Sequence, residues 1–304
     1  MYTAGDAVEK AHDDGIWSVS WSGGRANRIV TGGIDQFVRV WNGDTLERVL
    51  EIEGHELGIN CVSVNEDATV AVSTSLDSTV NVWNLESGVL LRSIKCGPEH
   101  RAWSAAICPK PTDGINTVAV STHSGAVLFY NIDTGERVSE LTTRGKFNQS
   151  IAFSPNAKYF AAGAIDGTLH IFSLGEDKKT YSILHKIEAH AMPVRGLEFS
   201  PDSELILTGS DDSIMNMYDV AQGNMIQSFS GHLSWVTSLA FNPKNSQFAS
   251  GVIEQWESTF AFSCGIFYVQ TCYFGNGGIR DRHTHTHTHL HGCTNILQWL
   301  LSVF

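Results

Sequence analysis

The stretch TGGIDQFVRVWN, residues 31–42, decides the reading of this chain, because it returns as STSLDSTVNVWN at 73–84. Each copy is a short run of small and β-branched residues, a tight turn carrying Asp, and a second alternating run that closes on an aromatic. That is the pattern of a β-hairpin with two faces. Looser copies follow as STHSGAVLFYN at 121–131, GAIDGTLHIFS at 163–173 and GSDDSIMNMYD at 209–219. Trp41, Trp83, Tyr130, Phe172 and Tyr218 close these units at a period of about 42 residues. Ahead of the hairpins lie further strand-like runs, among them IWSVSW at 16–21, INCVSV at 59–64, QSIAFSP at 149–155, VRGLEFSP at 194–201 and VTSLAFNP at 236–243. Pro109, Pro155, Pro201 and Pro243 end this strand in four of the units, since Pro lacks the N–H that a ladder needs. Runs such as LERVLEIEGH at 46–55 supply a fourth strand.

A four-stranded unit repeating at this interval predicts an all-β propeller. The units resemble the WD repeat, with Gly/Ala-His opening each one and Trp-Asp or a variant closing it. The resemblance implies a hydrogen-bonded relay of His, Ser/Thr, Asp and Trp that locks three strands of a blade. Blade one then has His12, Thr31, Asp35 and Trp41; blade two has His55, Ser73, Asp77 and Trp83; blade five has His190, Thr208 and Asp212, with Tyr218 in the Trp place. A buried carboxylate and imidazole are tolerable only when bonded to each other, so these are expected to be structural groups. In blades three and four the opening His is missing, Ser124 replaces the turn Asp of blade three, and Val120 and Ala162 hold the Ser/Thr positions. Those two blades are expected to rely on packing.

Other fragments are more specific: AHDDGIWSVSW, GPEHRAWSAAICP, STHSGAV, TRGKFNQSIAFSP, GAIDGTLHIF and EAHAMPVRGLEFSPDSELILTGSDD. Together they resemble the WD-repeat subunit shared by the superkiller (SKI) complex and the polymerase-associated factor (PAF) complex, from about His12 to Gly251. The resemblance implies a seven-bladed, non-catalytic scaffold in two assemblies. One is cytoplasmic and feeds messenger RNA to the exosome; the other is nuclear and accompanies RNA polymerase II. It further implies tetratricopeptide-repeat and helicase subunits of the SKI complex, and PAF complex subunits, as partners. Localisation to both nucleus and cytoplasm follows.

Composition narrows the alternatives. With 42% hydrophobic and 17% charged residues the chain is globular, and its net charge of -12 repels phosphate backbones and anionic lipid. No direct nucleic-acid contact, membrane partner or small-molecule substrate is expected. The start MYTAGDAVEKAHDD lacks the basic and apolar regions of a secretory signal. Six Cys in no framework spacing point to a reducing compartment, with Cys61, Cys96 and Cys108 as small core residues. No GxSxG, Walker loop or HExxH stands anywhere, and Asp, His and Ser recur once per blade as structural groups do, so no catalytic residue and no cofactor is expected. A WD-repeat adaptor of another assembly, such as a ubiquitin ligase or a chromatin-peptide reader, is the alternative function.

Partner contacts are expected where the inner strand of each blade begins, because the residues flanking its first apolar side chain face the top of the ring. These are Gly15 and Trp17, Gly58 and Asn60, Arg101 and Trp103, Phe147 and Gln149, Pro193 and Arg195, and Trp235 and Thr237, joined by Ile34, Leu76, His123, Ile165 and Asp211 before the turns. Converging Trp, Phe and Arg resemble a protein-interaction hot spot; the plain alternative is that the aromatics plug the channel.

After Gly251 the repeat pattern is lost, so the propeller is expected to comprise residues 1–251, about five and a half blades, followed by a divergent tail at 252–304 from read-through or an alternative transcript. Glu254 and Phe260 fall where Asp and Trp belong, without the alternation of a strand pair. The run of alternating His and Thr from His283 to His289 is what a CA dinucleotide repeat encodes. On an extended strand its imidazoles would share one face, but without supporting ligands no metal site is expected. An unclosed ring would leave sheet edges exposed and lower stability.

Overall fold

The computed structural model describes residues 8, 10–22, 26–143, 146–177, 180–243 and 247–252, and the backbone of 267–270, 272–273 and 280–281. Blade one is β1 (Ile16–Ser22), β2 (Arg28–Gly33), β3 (Val38–Asn42) and β4 (Arg48–Ile52). Blade two is β5 (Ile59–Val64), β6 (Val70–Ser75), β7 (Thr79–Asn84) and β8 (Leu90–Lys95), and blade three is β9 (Ala102–Ile107), β10 (Thr117–Thr122), β11 (Ala126–Asn131) and β12 (Arg137–Thr142). Blade four comprises β13 (Asn148–Phe153), β14 (Tyr159–Ala164), β15 (Thr168–Leu174) and β16 (Tyr181–Glu188). Blade five comprises β17 (Val194–Phe199), β18 (Leu205–Ser210), β19 (Met215–Asp219) and β20 (Met225–Phe229). Every sheet is antiparallel with its strands in chain order. The sixth sheet is β21 (Val236–Phe241), β22 (Phe248–Val252) and β23 (Phe267–Gln270).

The sequence offered no blade element after Gly251, yet β22 extends to Val252 and the backbone of 267–270 pairs with it, Phe248 opposite Gln270 and Gly251 opposite Phe267. A Phe-Tyr-Val run suits a strand, and a ladder edge takes any such run regardless of the repeat interval. A short pair, β24 (Cys272–Tyr273) with β25 (Arg280–Asp281), follows. Glu254, Phe260 and the His283–His289 run lie outside the described residues.

The cores sit between sheets rather than within them. Val72, Val80 and Val82 of blade two pack with Val118, Val120 and Leu128 of blade three, and Phe129 of blade three packs with Phe160 and Tyr181 of blade four. Both faces of each middle strand are therefore buried, as in β10, where all six residues are enclosed. The inner strands β1, β5, β9, β13, β17 and β21 touch one another in that order. Hydroxyls stitch them together. Val62 N–H donates to Ser18 Oγ (2.9 Å), Val64 N–H to Ser20 Oγ (3.2 Å) and Ile107 N–H to Ser63 Oγ (3.1 Å), each bond crossing from one blade to the next. Cys96 and Cys108 are buried and Cys61 is half-buried, all three as free thiols.

The β2–β3 type turn is the strained element of each blade. Gln36, Ser78, Gly125, Gly167 and Ser213 all have positive φ, at 74°, 67°, 84°, 82° and 67°. Glycine occupies this place in blades three and four, where a left-handed residue is free of strain. At Gly167 the crowding is extreme, because a Cβ there would stand 2.0 Å from the His190 carbonyl oxygen of blade five.

Candidate partner-binding face

The relay is what fixes the loops at the top of the ring. In blade one, Trp41 Nε1–H donates to Thr31 Oγ1 (3.0 Å), Thr31 Oγ1 lies 2.7 Å from His12 Nε2, and His12 Nδ1 lies 2.8 Å from Asp35 Oδ1. Proton accounting allows one arrangement: the hydroxyl donates to Nε2 and Nδ1–H donates to the carboxylate. Blade two repeats it, with Trp83 Nε1 to Ser73 Oγ at 2.8 Å, Ser73 Oγ to His55 Nε2 at 2.7 Å and His55 Nδ1 to Asp77 Oδ2 at 3.2 Å. In blade five His190 spans Thr208 (2.8 Å) and Asp212 (3.0 Å), but Tyr218 does not reach Thr208. Its hydroxyl donates to the Ala189 carbonyl at 3.3 Å, because a phenol carries its polar group at the ring tip where indole carries it on the flank.

Burial lowers the pKa of His12, His55 and His190 despite the attraction of their Asp partners, so these imidazoles are neutral at pH 7. Burial alone would raise the Asp35 carboxyl, but bonds from His12, the Asp13 N–H and Arg39 hold it below its ordinary value. The carboxylate has a second job. Asp35, Asp77 and Asp212 accept the N–H of Asp13 (3.1 Å), Glu56 (3.0 Å) and Ala191 (3.3 Å), the residues that lead from the His into the inner strand. The relay thereby ties down the loop on which the top-face side chains stand.

Blades three and four do more than pack. In blade three His100, two residues later in the loop than a relay His, bonds Ser124 Oγ at 2.9 Å, and Ser124 meets Thr122 at 2.8 Å. In blade four Asn148 Nδ2–H donates to Thr143 Oγ1 (2.8 Å), whose hydroxyl donates to the Gly125 carbonyl (2.8 Å). The expectation of packing alone is corrected: displaced polar groups take over the relay's role of holding the loop. Blade six adds His232, whose Nε2 lies 2.7 Å from Ser250 Oγ and whose pKa burial lowers to about 4.

On the loops so held, Trp17 is 53% exposed and Trp235 43%, while Ile34, Leu76 and Ile165 are also exposed. Trp103 and Phe147 are half-buried and meet edge to face with centroids 5.4 Å apart, and His123 stacks on Phe147 at 4.2 Å. Arg101 stands exposed beside them. Arg195 forms a two-point pair with buried Asp211 (Nε to Oδ1 2.5 Å, Nη2 to Oδ2 2.9 Å), and its guanidinium lies 5.0 Å from the centroid of the Trp235 ring. Asn60 and Gln149, half-buried on the blades flanking Trp103, keep buried amide atoms without a partner among the described residues. Three exposed side chains on the same loops were not picked out from the sequence: Leu57, Met192 and Leu233, the last 87% exposed. Each follows an opening His by one or two residues, and that recurrence is the signal that could have found them.

Among the described residues no group of three or more His, Cys, Asp or Glu is placed to hold a metal ion, and no helix is long and apolar enough to cross a membrane. Residues 49–242 match the NWD2 C-terminal beta-propeller family, and residues 7–42 match the WD domain, G-beta repeat. The WD repeat-containing protein SL1-17 of Schistosoma mansoni is 33% identical over 231 residues, which cover 74% of this chain and 73% of that protein. The chain belongs to the WD-repeat family. The WD repeat-containing protein VIP3 of Arabidopsis thaliana is 32% identical over 261 residues, 80% of this chain and 79% of its own. Meiotic recombination protein rec14 of Schizosaccharomyces pombe is 30% identical over 230 residues, 74% and 72% of the two chains. WD-repeat propellers are protein-interaction modules and, as a family, generally scaffolds rather than catalysts.

Proposed function

We propose that this WD-repeat chain is a non-catalytic scaffold that docks protein partners on the top of its ring, as a subunit of the SKI and PAF assemblies, in cytoplasm and nucleus respectively. The observation that carries the docking reading is the concentration of exposed Trp17, Ile34, Leu76, Ile165, Leu233 and Trp235 on the loops around one mouth. Exposed apolar side chains gathered on one face, with Trp and Arg among them, mark interaction surfaces. The sequence fragments that resemble the shared SKI and PAF subunit support the assignment to those assemblies. So does the similarity to VIP3 and rec14, the latter named for meiotic recombination, a nuclear process.

Affinity purification of the tagged chain from cells, followed by mass spectrometry, tests the assemblies. Tetratricopeptide-repeat and helicase subunits, together with PAF complex subunits, are the expected companions; ubiquitin-ligase subunits in their place would overturn the assignment. Trp103→Ala and Trp235→Ala test the face. Both are expected to lose these companions at least tenfold while the melting temperature stays within a few degrees. Undiminished recovery by both variants removes the top face as the docking site.

A further inference from the structure

Blade one carries an arginine that blade two lacks. Arg39, 4% exposed, stands opposite Thr31 and Glu51, and its guanidinium gathers Glu51 Oε2 (2.7 Å), the relay carboxylate of Asp35 (2.7 Å), the Ala11 carbonyl (3.0 Å) and, at 3.6 Å, Asp13. In blade two the same place, opposite Ser73 and Ser93, holds Asn81. Beside this shorter pair a groove of about 480 Å³ opens, lined in part by Gly54, Glu56, Asp77, Ser93 and Lys95. Its acceptors repeat those of blade one: Gly54 and Ala11 precede the relay His, Glu56 and Asp13 follow it, and Asp77 and Asp35 bond it. Asp35 Oδ2 accepts from His12, the Asp13 N–H and Arg39, whereas Asp77 Oδ2 accepts only from His55 and the Glu56 N–H among the described residues. The Glu56 side chain is exposed and makes no hydrogen bond or ion pair among them. Asn81 is 1% exposed, donates to the Gly54 carbonyl (3.0 Å) and keeps its buried Oδ1 without a partner among the described residues. A buried acceptor left bare is costly, so that atom points to a donor still to arrive.

We propose that this groove is a receptor for one guanidinium group, the Arg side chain of a protein partner, which takes in blade two the place that Arg39 fills in blade one. A planar fork of N–H donors reaches separated acceptors at once, which a compact ammonium cannot do as well. Asp77 Oδ2, Asn81 Oδ1 and the Glu56 carboxylate are the acceptors offered to it. Lys95 lines the same groove and opposes any cation, so it lowers the affinity. Blade five repeats the small pair as Asn216 and Ser228 but puts Ala191 where blade two has Glu56, so it lacks the second carboxylate. Leu57 and Leu76, 49% and 48% exposed, adjoin Glu56 and Asp77 in sequence, so a polypeptide gains contact there that a free small cation does not. That choice of source rests on the docking face proposed above; the guanidinium site itself does not.

Heteronuclear NMR of the purified chain, following the amide signals of Glu56, Asp77 and Ser78, tests this with the peptide acetyl-Gly-Arg-Gly-amide as probe. Saturable shifts at these signals are expected, with binding about tenfold weaker for the citrulline analogue, which keeps the shape without the charge, and about threefold weaker for the Lys analogue. Glu56→Gln changes an exposed side chain and is expected to weaken the Arg peptide about tenfold, whereas Lys95→Ala should tighten it. Asn81→Arg combined with Ser93→Glu builds the pair of blade one into blade two and should abolish binding. No saturable shift in wild type, equal binding of the Arg and citrulline peptides, or undiminished binding by Glu56→Gln overturns the proposal. Agmatine binding about tenfold tighter than the Arg peptide would overturn the protein source of the guanidinium. Trp103→Ala and Trp235→Ala should bind the peptide as wild type does, so failure of the top face and failure of the groove give different results.

Discussion

Replacing Glu198 by Gln should stabilise the protein, and only above the ordinary pH range of a carboxyl. In the unfolded chain this carboxyl ionises at its ordinary 4.5; in the folded chain burial holds it protonated up to about 8. Between those values folding takes up a proton, so stability falls as pH rises through the window, by about 1.4 kcal/mol per pH unit. The full window amounts to about 5 kcal/mol, and the partial exposure of the side chain trims this to about 2–3 kcal/mol at pH 8. Gln keeps the shape and cannot ionise. A shift of about 5–10 °C follows at pH 8, at about 2–4 °C per kcal/mol for a domain of this size, shrinking toward zero near pH 4.5. Differential scanning calorimetry of both proteins at pH 5, 6, 7 and 8 measures it. The buried His residues weaken both proteins alike on the acid side, so the difference between them isolates residue 198. A difference that stays constant with pH, or a Gln variant that melts below wild type at pH 8, would refute the reasoning.

Removing the His55 imidazole by His55→Ala takes from Ser73 and Asp77 the ring that joins them and should cost about 2–4 kcal/mol in a urea titration; an unchanged midpoint would show the relay to be idle. The folded pKa values of His12, His55 and His190 are lowered, so the stability they hold is complete above about pH 6.5 and is lost as pH falls below it. His55→Ala should therefore flatten the acid limb of a melting-temperature profile. Gly167→Ala forces a Cβ to 2.0 Å from the His190 carbonyl oxygen at a positive φ, which should cost more than about 2 kcal/mol, and a neutral result would mean the turn can rearrange. Asp211→Ala frees Arg195 from its two-point pair and loosens Trp235, so partner affinity should fall about tenfold, by about 1.4 kcal/mol, measured by titration with the isolated partner; unchanged affinity would make that pair ornamental.

Much of the fold was legible because the hairpin TGGIDQFVRVWN repeats with its turn residue and closing aromatic in register, which places both relay and rim. The relay of blades one and two could be read residue by residue, since Trp41 and Trp83 share one geometry. Tyr218 could not, because the same slot in the pattern hides a different reach of the polar atom. His100 escaped for a related reason: a two-residue displacement breaks the spacing but not the contact. Phe267–Gln270 joins its sheet by edge pairing, which obeys no period. Glu198 drew no notice in the sequence because on an inner strand a polar residue in alternation is unremarkable. Only the structure shows that the acid is half-buried and has no hydrogen-bond or ion-pair partner among the described residues.

The two carboxylates at the turn of blade five show how one fold separates stability from recognition. Asp212 faces inward, accepts from His190 and holds the Ala191 N–H, so it works on its own blade. Asp211, its neighbour in sequence, points the other way and orients Arg195 beneath the Trp235 ring of the next blade. Both residues stand in the turn after β18, where each carboxylate is aimed by the bonds it accepts rather than by strand alternation. An aromatic held in this manner loses little freedom when a partner covers it, so more of its contact area appears as affinity. A scaffold needs that property more than it needs a deep pocket, and a ring of loops locked by relays and by other polar bonds supplies it with side chains that are otherwise ordinary.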